Sequence, residues 1–131
     1  MKKLILITFA ILFMVFTAFG AVLENSDQKI ISSIKDLTTE AFYNFDESLY
    51  HQSMGLCERV LTNDSKNEDA LYYSAYTCYR LANMAMTNNN VSQLDNYAKK
   101  GIEQGELLKN SNEFGAEIRV VLAAIYMMKL T

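Results

Sequence analysis

Glu68 to Ala82, EDALYYSAYTCYRLA, is the stretch whose reading decides the fold. Leu71, Ala75, Cys78, Tyr79 and Ala82 recur in steps of three and four, which stacks side chains on one helical face. Tyr72, Tyr76 and Tyr79 or Arg80 form a second stripe about a third of a turn away. A helix with two such stripes has neighbours on two sides. Asn67, Glu68 and Asp69 place a cap and acidic groups at its amino end, where free N–H groups and the macrodipole favour them. Arg80 lies toward the carboxyl end, where the dipole favours a cation.

Outward from this helix, every segment has the same character. Proline is absent from the 131 residues and only five are glycine, so the turn chemistry of hairpin sheets is missing. An all-α chain follows. Ser26 can cap a first helix running to about Tyr43, with Ile30, Ile31, Ile34, Leu37, Ala41 and Phe42 on its buried side. Asn44 to Glu47 breaks the pattern, and Asp46 can cap a second helix, Glu47 to Thr62, with Leu49, Ser53, Leu56, Cys57, Val60 and Leu61 inward. Thr62 to Asn67 is a polar turn before the central helix, which continues to Met84 or Met86.

After Thr87 to Asn90, Ser92 can cap a fourth helix, Gln93 to Lys109. Gly101 and Gly105 lie four apart on its face and suggest close approach of a neighbouring backbone. The last helix spans Glu113 to Leu130, with Ile118, Val121, Leu122, Ile125, Tyr126 and Met128 as its apolar residues. From Val120 to Met128 it carries no charge, and those consecutive residues cover every direction around a helix. Its outward strip is expected to include Val121, Met128 and either Ile125 or Leu122. Such a strip implies docking on a partner, a second copy or a membrane surface, unless Ala21 to Leu23 folds back to cover it.

The amino terminus is read separately. Lys2 and Lys3, an uncharged run from Leu4 to Phe16, and small residues at Ala18 and Gly20 make residues 1–20 a signal peptide cut before Ala21. Residues 21–131 then form one domain, in the periplasm or secreted. Uncleaved, Leu4 to Leu23 approaches the roughly 20 apolar residues that anchor a chain in a bilayer, which leaves a membrane-anchored assembly factor as an alternative. The whole chain has a net charge of −3, and cleavage removes two lysines, leaving 10 − 15 = −5. An acidic chain without a basic run has no footprint for nucleic acid.

Little in the residues points to chemistry. His51 is the only histidine and has no companion at ligand spacing beyond Glu47, so no metal and no cofactor is expected. No nucleophile elbow or glycine-rich phosphate loop is present, and no residue stands out as catalytic, so an enzyme is not expected. Cys57 and Cys78 both fall on inward faces. They can form one disulfide closing a loop of about 20 residues, or remain two buried thiols; the sequence leaves both open.

A period runs through the helices. Ala41 and Ala75 are 34 apart, and Leu37 and Leu71 each precede them by four. Ser53, Cys57 and Val60 repeat in type as Ala98, Ile102 and Gly105, Asp64-Ser65 sits before the central helix, and Leu122-Ala123 is followed by Tyr126. In these features the chain resembles a tetratricopeptide-repeat protein of the exported bacterial kind, over most of residues 30–130 and about two and a half repeats. It departs from the pattern in having no proline, in Ser74-Ala75 for Leu-Gly and Cys78 for tyrosine, and in the 48 residues between Ala75 and Ala123.

The resemblance implies a superhelix of five antiparallel helices whose concave face binds a protein or peptide. By analogy, its groove positions are Lys35, Thr38 and Phe42 from the first helix. The central helix gives Tyr72, Tyr76, Tyr79 and Arg80, with Lys66, Asn67 and Asp69 at its entrance. The last helix gives Glu117, Val120, Ala124 and Met127. Aromatics and arginine are the types that supply binding hot spots. The tyrosines can also simply fill a core, and methionines such as Met84, Met86, Met127 and Met128 also suit a carrier of lipids or small molecules with an apolar pocket.

Overall fold

Helix caps set the boundaries of each element. The computed structural model describes residues 26–130; the expected signal peptide, its cut after Gly20 and Ala21 to Leu23 lie outside them. Among the described residues there are five α-helices and no strand: α1 over 26–44, α2 Glu47–Asn63, α3 Glu68–Thr87, α4 Val91–Glu106 and α5 Gly115–Met128. Asp46 caps α2 by accepting from the N–H groups of Ser48 and Leu49 at 2.8 and 3.3 Å. Asn67 caps α3 by accepting from the Ala70 N–H at 3.0 Å. Both caps match the sequence reading.

The fourth helix does not follow it. Its cap is Asn90, not Ser92, because Asn89 takes a left-handed φ of 56° and turns the chain early. The Asn90 N–H then closes back on the Ala85 carbonyl at 2.8 Å, and its side chain accepts from the Gln93 N–H at 3.2 Å. The far end of α4 also stops sooner than expected, at Glu106, and a turn over 107–110 buries Leu108. Ser111 then organises the entry to α5: its Oγ accepts from the N–H groups of Glu113 and Phe114 and donates to Glu68 Oε2 at 2.6 Å.

Central α3 packs against α2, α4 and α5, and α4 packs on α5. One buried cluster joins Leu71, Ala75 and Ala82 of α3 to Ala98 of α4, to Leu108, and to Ile118, Val121, Leu122, Ile125 and Met128 of α5. A second joins Ala41, Tyr50 and Leu81. Ala70, Ser74, Thr77 and Leu81 repeat at helical spacing on α3 and are all fully or almost fully buried. This is the second buried face of the helix, and its two hydroxyls kept it out of the sequence reading. The tyrosine stripe is half-buried instead.

The expected outward strip of α5 is corrected. Val121, Leu122, Ile125 and Met128 are all buried, whereas Val120, Ala123, Tyr126 and Met127 are exposed. Tyr126, expected among the packing residues, donates its hydroxyl to Glu106 Oε1 at 3.2 Å on the surface. An uninterrupted apolar run carries no period, so the contacts with α3 and α4 chose which side faces inward.

Candidate functional site

The tyrosines of α3 meet α1 across a shallow cleft. Lys35 Nζ lies 3.4 Å from Asp69 Oδ1 and 5.9 Å from the Tyr73 ring, and the Arg80 guanidinium lies 4.7 Å over Phe42. Between these two ties opens a cleft of about 320 Å³ lined by Thr38, Thr39, Phe42, Tyr43, Tyr72, Tyr73 and Tyr76. Helical spacing then stacks the rings. Tyr72 and Tyr76 are 6.4 Å apart and near parallel at 16°, and Tyr79 continues from Tyr76 at 6.2 Å. Phe114, from the turn before α5, stacks on the other end against Tyr72 at 4.7 Å.

Burial pushes up the hydroxyl pKa of both Tyr72 and Tyr73. Neighbouring Tyr73, Tyr76 and Glu117 add to the effect at Tyr72, and Lys35 opposes it at Tyr73. These hydroxyls stay neutral, able to donate and accept at the rim of an apolar floor. The arrangement suits apolar and aromatic groups laid across ring faces, with hydrogen bonds at the edges.

The expected groove residues divide. Lys35, Phe42, Asp69, Tyr72, Tyr76, Tyr79 and Arg80 come together at or beside the cleft. Thr38 also lines it, but its hydroxyl is committed to the fold, donating to the Ile34 carbonyl at 2.7 Å and 2.8 Å from Ser53 Oγ. Asn67 is committed to the α3 cap. Lys66 lies elsewhere, on a cleft of about 480 Å³ with Ser65, Glu68, Leu71, Leu107 and Leu108. Val120 and Met127, 71% and 64% exposed, continue from Glu117 along α5 with half-buried Ala124 and do not line the tyrosine cleft. Thr39, Tyr43, Tyr73 and Phe114 were missed. Tyr73 could have been found from Asp69 one turn before it, whereas Phe114 lies outside any helical period.

Cys57 and Cys78 are free, fully buried thiols. Burial, above all, pushes both up to about 12, and the Cys78 Sγ lies 4.0 Å from Met54 Sδ. Held protonated, they are poor nucleophiles and behave as small apolar groups. His51 sits on the surface, 3.6 Å from Glu47 Oε1 and 3.4 Å from the Tyr97 hydroxyl. Among the described residues, no group of three or more His, Cys, Asp or Glu is placed to hold a metal. Nor is any described helix long and apolar enough to cross a membrane.

Compared with protein-family models, curated proteins and solved structures, the chain matches none.

Proposed function

We propose that the chain is an exported, tetratricopeptide-like scaffold that binds a protein or peptide through the tyrosine cleft. The cleft itself carries this reading: five aromatic residues from α1 and α3 line a surface that the core does not need to cover. Support for the repeat array comes from burial at the periodic positions of α1 to α3, whereas Ala123 and Tyr126, their counterparts in α5, are exposed. Ala41 and Ala75 are both fully buried, as are Ser53, Cys57 and Val60, and α3 contacts the helices on either side of it in the chain and α5 beyond. Export rests on the leader-like residues 1–20 alone.

Peptide display against the purified chain tests the reading. Selected peptides should lose about tenfold or more in affinity on Tyr76→Ala or Phe42→Ala, a typical hot-spot effect. Tyr126→Ala, away from the cleft, should leave affinity unchanged. Equal loss in all three variants, or no selected peptide, would reject the reading.

A second reading draws on the cleft floored by Leu71, Leu107 and Leu108, with Lys66 at its edge. Its volume of about 480 Å³ lies within the range of small-molecule sites. In a carrier, a fluorescent fatty acid would bind there and be displaced by Leu107→Glu but not by Tyr76→Ala.

A further inference from the structure

Arg80 stands apart from the other charges near the tyrosine cleft. Lys35 is paired with Asp69, whereas among the described residues no carboxylate lies within ion-pair distance of Arg80. Its guanidinium lies over aromatic rings instead, 4.7 Å from the Phe42 centroid and 5.9 Å from that of Tyr50. The guanidinium also bears on the Tyr50 hydroxyl, and its remaining N–H groups are left for a ligand.

That arginine lines a cleft of its own, of about 290 Å³, with Phe45, Asn83, Met84, Thr87 and Asn88. Its lining contains one cation, two carboxamides, two large apolar side chains and no acid. No acidic residue lines the tyrosine cleft either. In a chain of net charge −3, a positive cleft without an internal counter-ion is complementary to an anionic ligand.

Phe45 gives an independent pointer. It closes α1 with a left-handed φ of 53°, a conformation that bulky residues rarely take and that glycine or asparagine adopts readily. The equivalent turn after α3 uses Asn89. Yet Phe45 is 73% exposed, so the core gains little from it. An aromatic side chain held in a strained turn at a cleft wall is a feature found at ligand sites.

We propose that this cleft receives an aspartate or glutamate side chain of the bound peptide. The carboxylate lies on the Arg80 fork with Asn83 and Asn88 as further donors, and an adjacent apolar residue of the peptide rests on Phe45 and Met84. This inference rests on the peptide-binding reading and adds the charge of the ligand to it.

The test uses the purified full chain and two pools of short amidated peptides with aromatic and aliphatic residues at the variable positions. The pools are identical except that one fixed central residue is glutamate in the first and glutamine in the second. The glutamate pool should bind about tenfold to a hundredfold more tightly, the worth of a hydrogen-bonded charge pair. That preference should vanish in Arg80→Gln, shrink in Arg80→Lys, which keeps the charge without the fork, and weaken as salt rises. The pool comparison on the unaltered chain needs no variant to fold. Equal binding of the two pools overturns the acidic-ligand inference and leaves the peptide-binding reading standing. So does a preference that survives Arg80→Gln, or a gain seen only when the glutamine pool carries a free terminal carboxylate. Failure of both pools to bind overturns the peptide-binding reading, and this inference with it.

Discussion

The two buried faces of α3 are built differently. Toward α4 and α5 it presents Leu71, Ala75 and Ala82 to a helix that itself carries glycines. A Cβ added to Gly101 would come within 2.8 Å of Ile125 Cδ1, 3.1 Å of Cys78 Cβ and 3.5 Å of the Ala75 carbonyl oxygen. At Gly105 it would meet Leu122 at 2.8 Å and Ile118 at 3.3 Å. Toward the Tyr50 cluster, α3 presents Ala70, Ser74, Thr77 and Leu81, and the adjoining contact between α1 and α2 is closed by a hydrogen bond between Thr38 and Ser53. One seam is specified by absent volume and the other tolerates polar groups. The first is closed by shape, whereas the second holds the unpaired hydroxyls of Ser74 and Thr77 beside a hydroxyl pair that joins α1 to α2, so they should fail under different substitutions.

The largest effect is expected at the glycine seam. Gly101→Leu puts side-chain volume into a space that cannot take one carbon without movement. It should cost about 3 kcal/mol or more, at or above the usual range for overpacking, and Ala75→Leu from the facing side about 1–3 kcal/mol. Urea unfolding measures both. If Gly101→Leu unfolds at the same midpoint as the original chain, the seam is not closed by shape.

Thr38→Val should cost about 1–3 kcal/mol, because it leaves the buried Ser53 hydroxyl without its partner. Adding Ser53→Ala should recover most of that loss. Ser74 is buried too, but its hydroxyl has no hydrogen-bond partner in the structure, so Ser74→Ala should be neutral or stabilising. A loss at Ser74 equal to that at Thr38 would show that the seam depends on volume alone.

Cys78 lies where the two seams meet, touching Met54 of α2 and facing Gly101 of α4. Both thiols have folded-state pKa values of about 12, above an unfolded value near 8.5. Their contribution to stability is therefore complete below the unfolded value and is lost as pH rises toward 12. Raising pH from 8.5 to 10 should cost about 1–2 kcal/mol per thiol. Cys57→Ala, compared with the original chain across that range, should flatten the decline. An unchanged slope would place the alkaline loss on the buried tyrosines.

The smallest expected effect is a gain. Gly55 lies inside α2, and a Cβ built there meets nothing within 4 Å. Gly55→Ala should therefore stabilise the helix by about 0.5–1 kcal/mol, the ordinary difference in helix propensity. The same substitution at Gly101 should not. A matched rise in melting temperature at both positions would remove the distinction between an incidental glycine and a required one.

What the sequence by itself determined is the set of helices and most of their ends. Periodicity, absent proline and the caps at Asp46 and Asn67 are local properties, and local backbone chemistry is enough to express them. The tyrosine stripe of α3 was legible for the same reason, since residues three and four apart share a face wherever the helix sits. Only the tertiary structure decided how the helices rotate. Val120 to Met128 is apolar on every side, so its sequence could not say that Val121 and Met128 turn inward while Val120 and Met127 face out. Ser74 and Thr77 carry no apolar signal in the sequence, and they are buried because helices enclose α3 on that side too. Phe114 belongs to a turn whose course depends on Ser111 reaching Glu68 and on where α4 stops, and Lys66 lies on a different cleft because Leu107 and Leu108 of that same turn complete it. Burial of a residue is a property of what packs against it, and that is decided by all the helices at once.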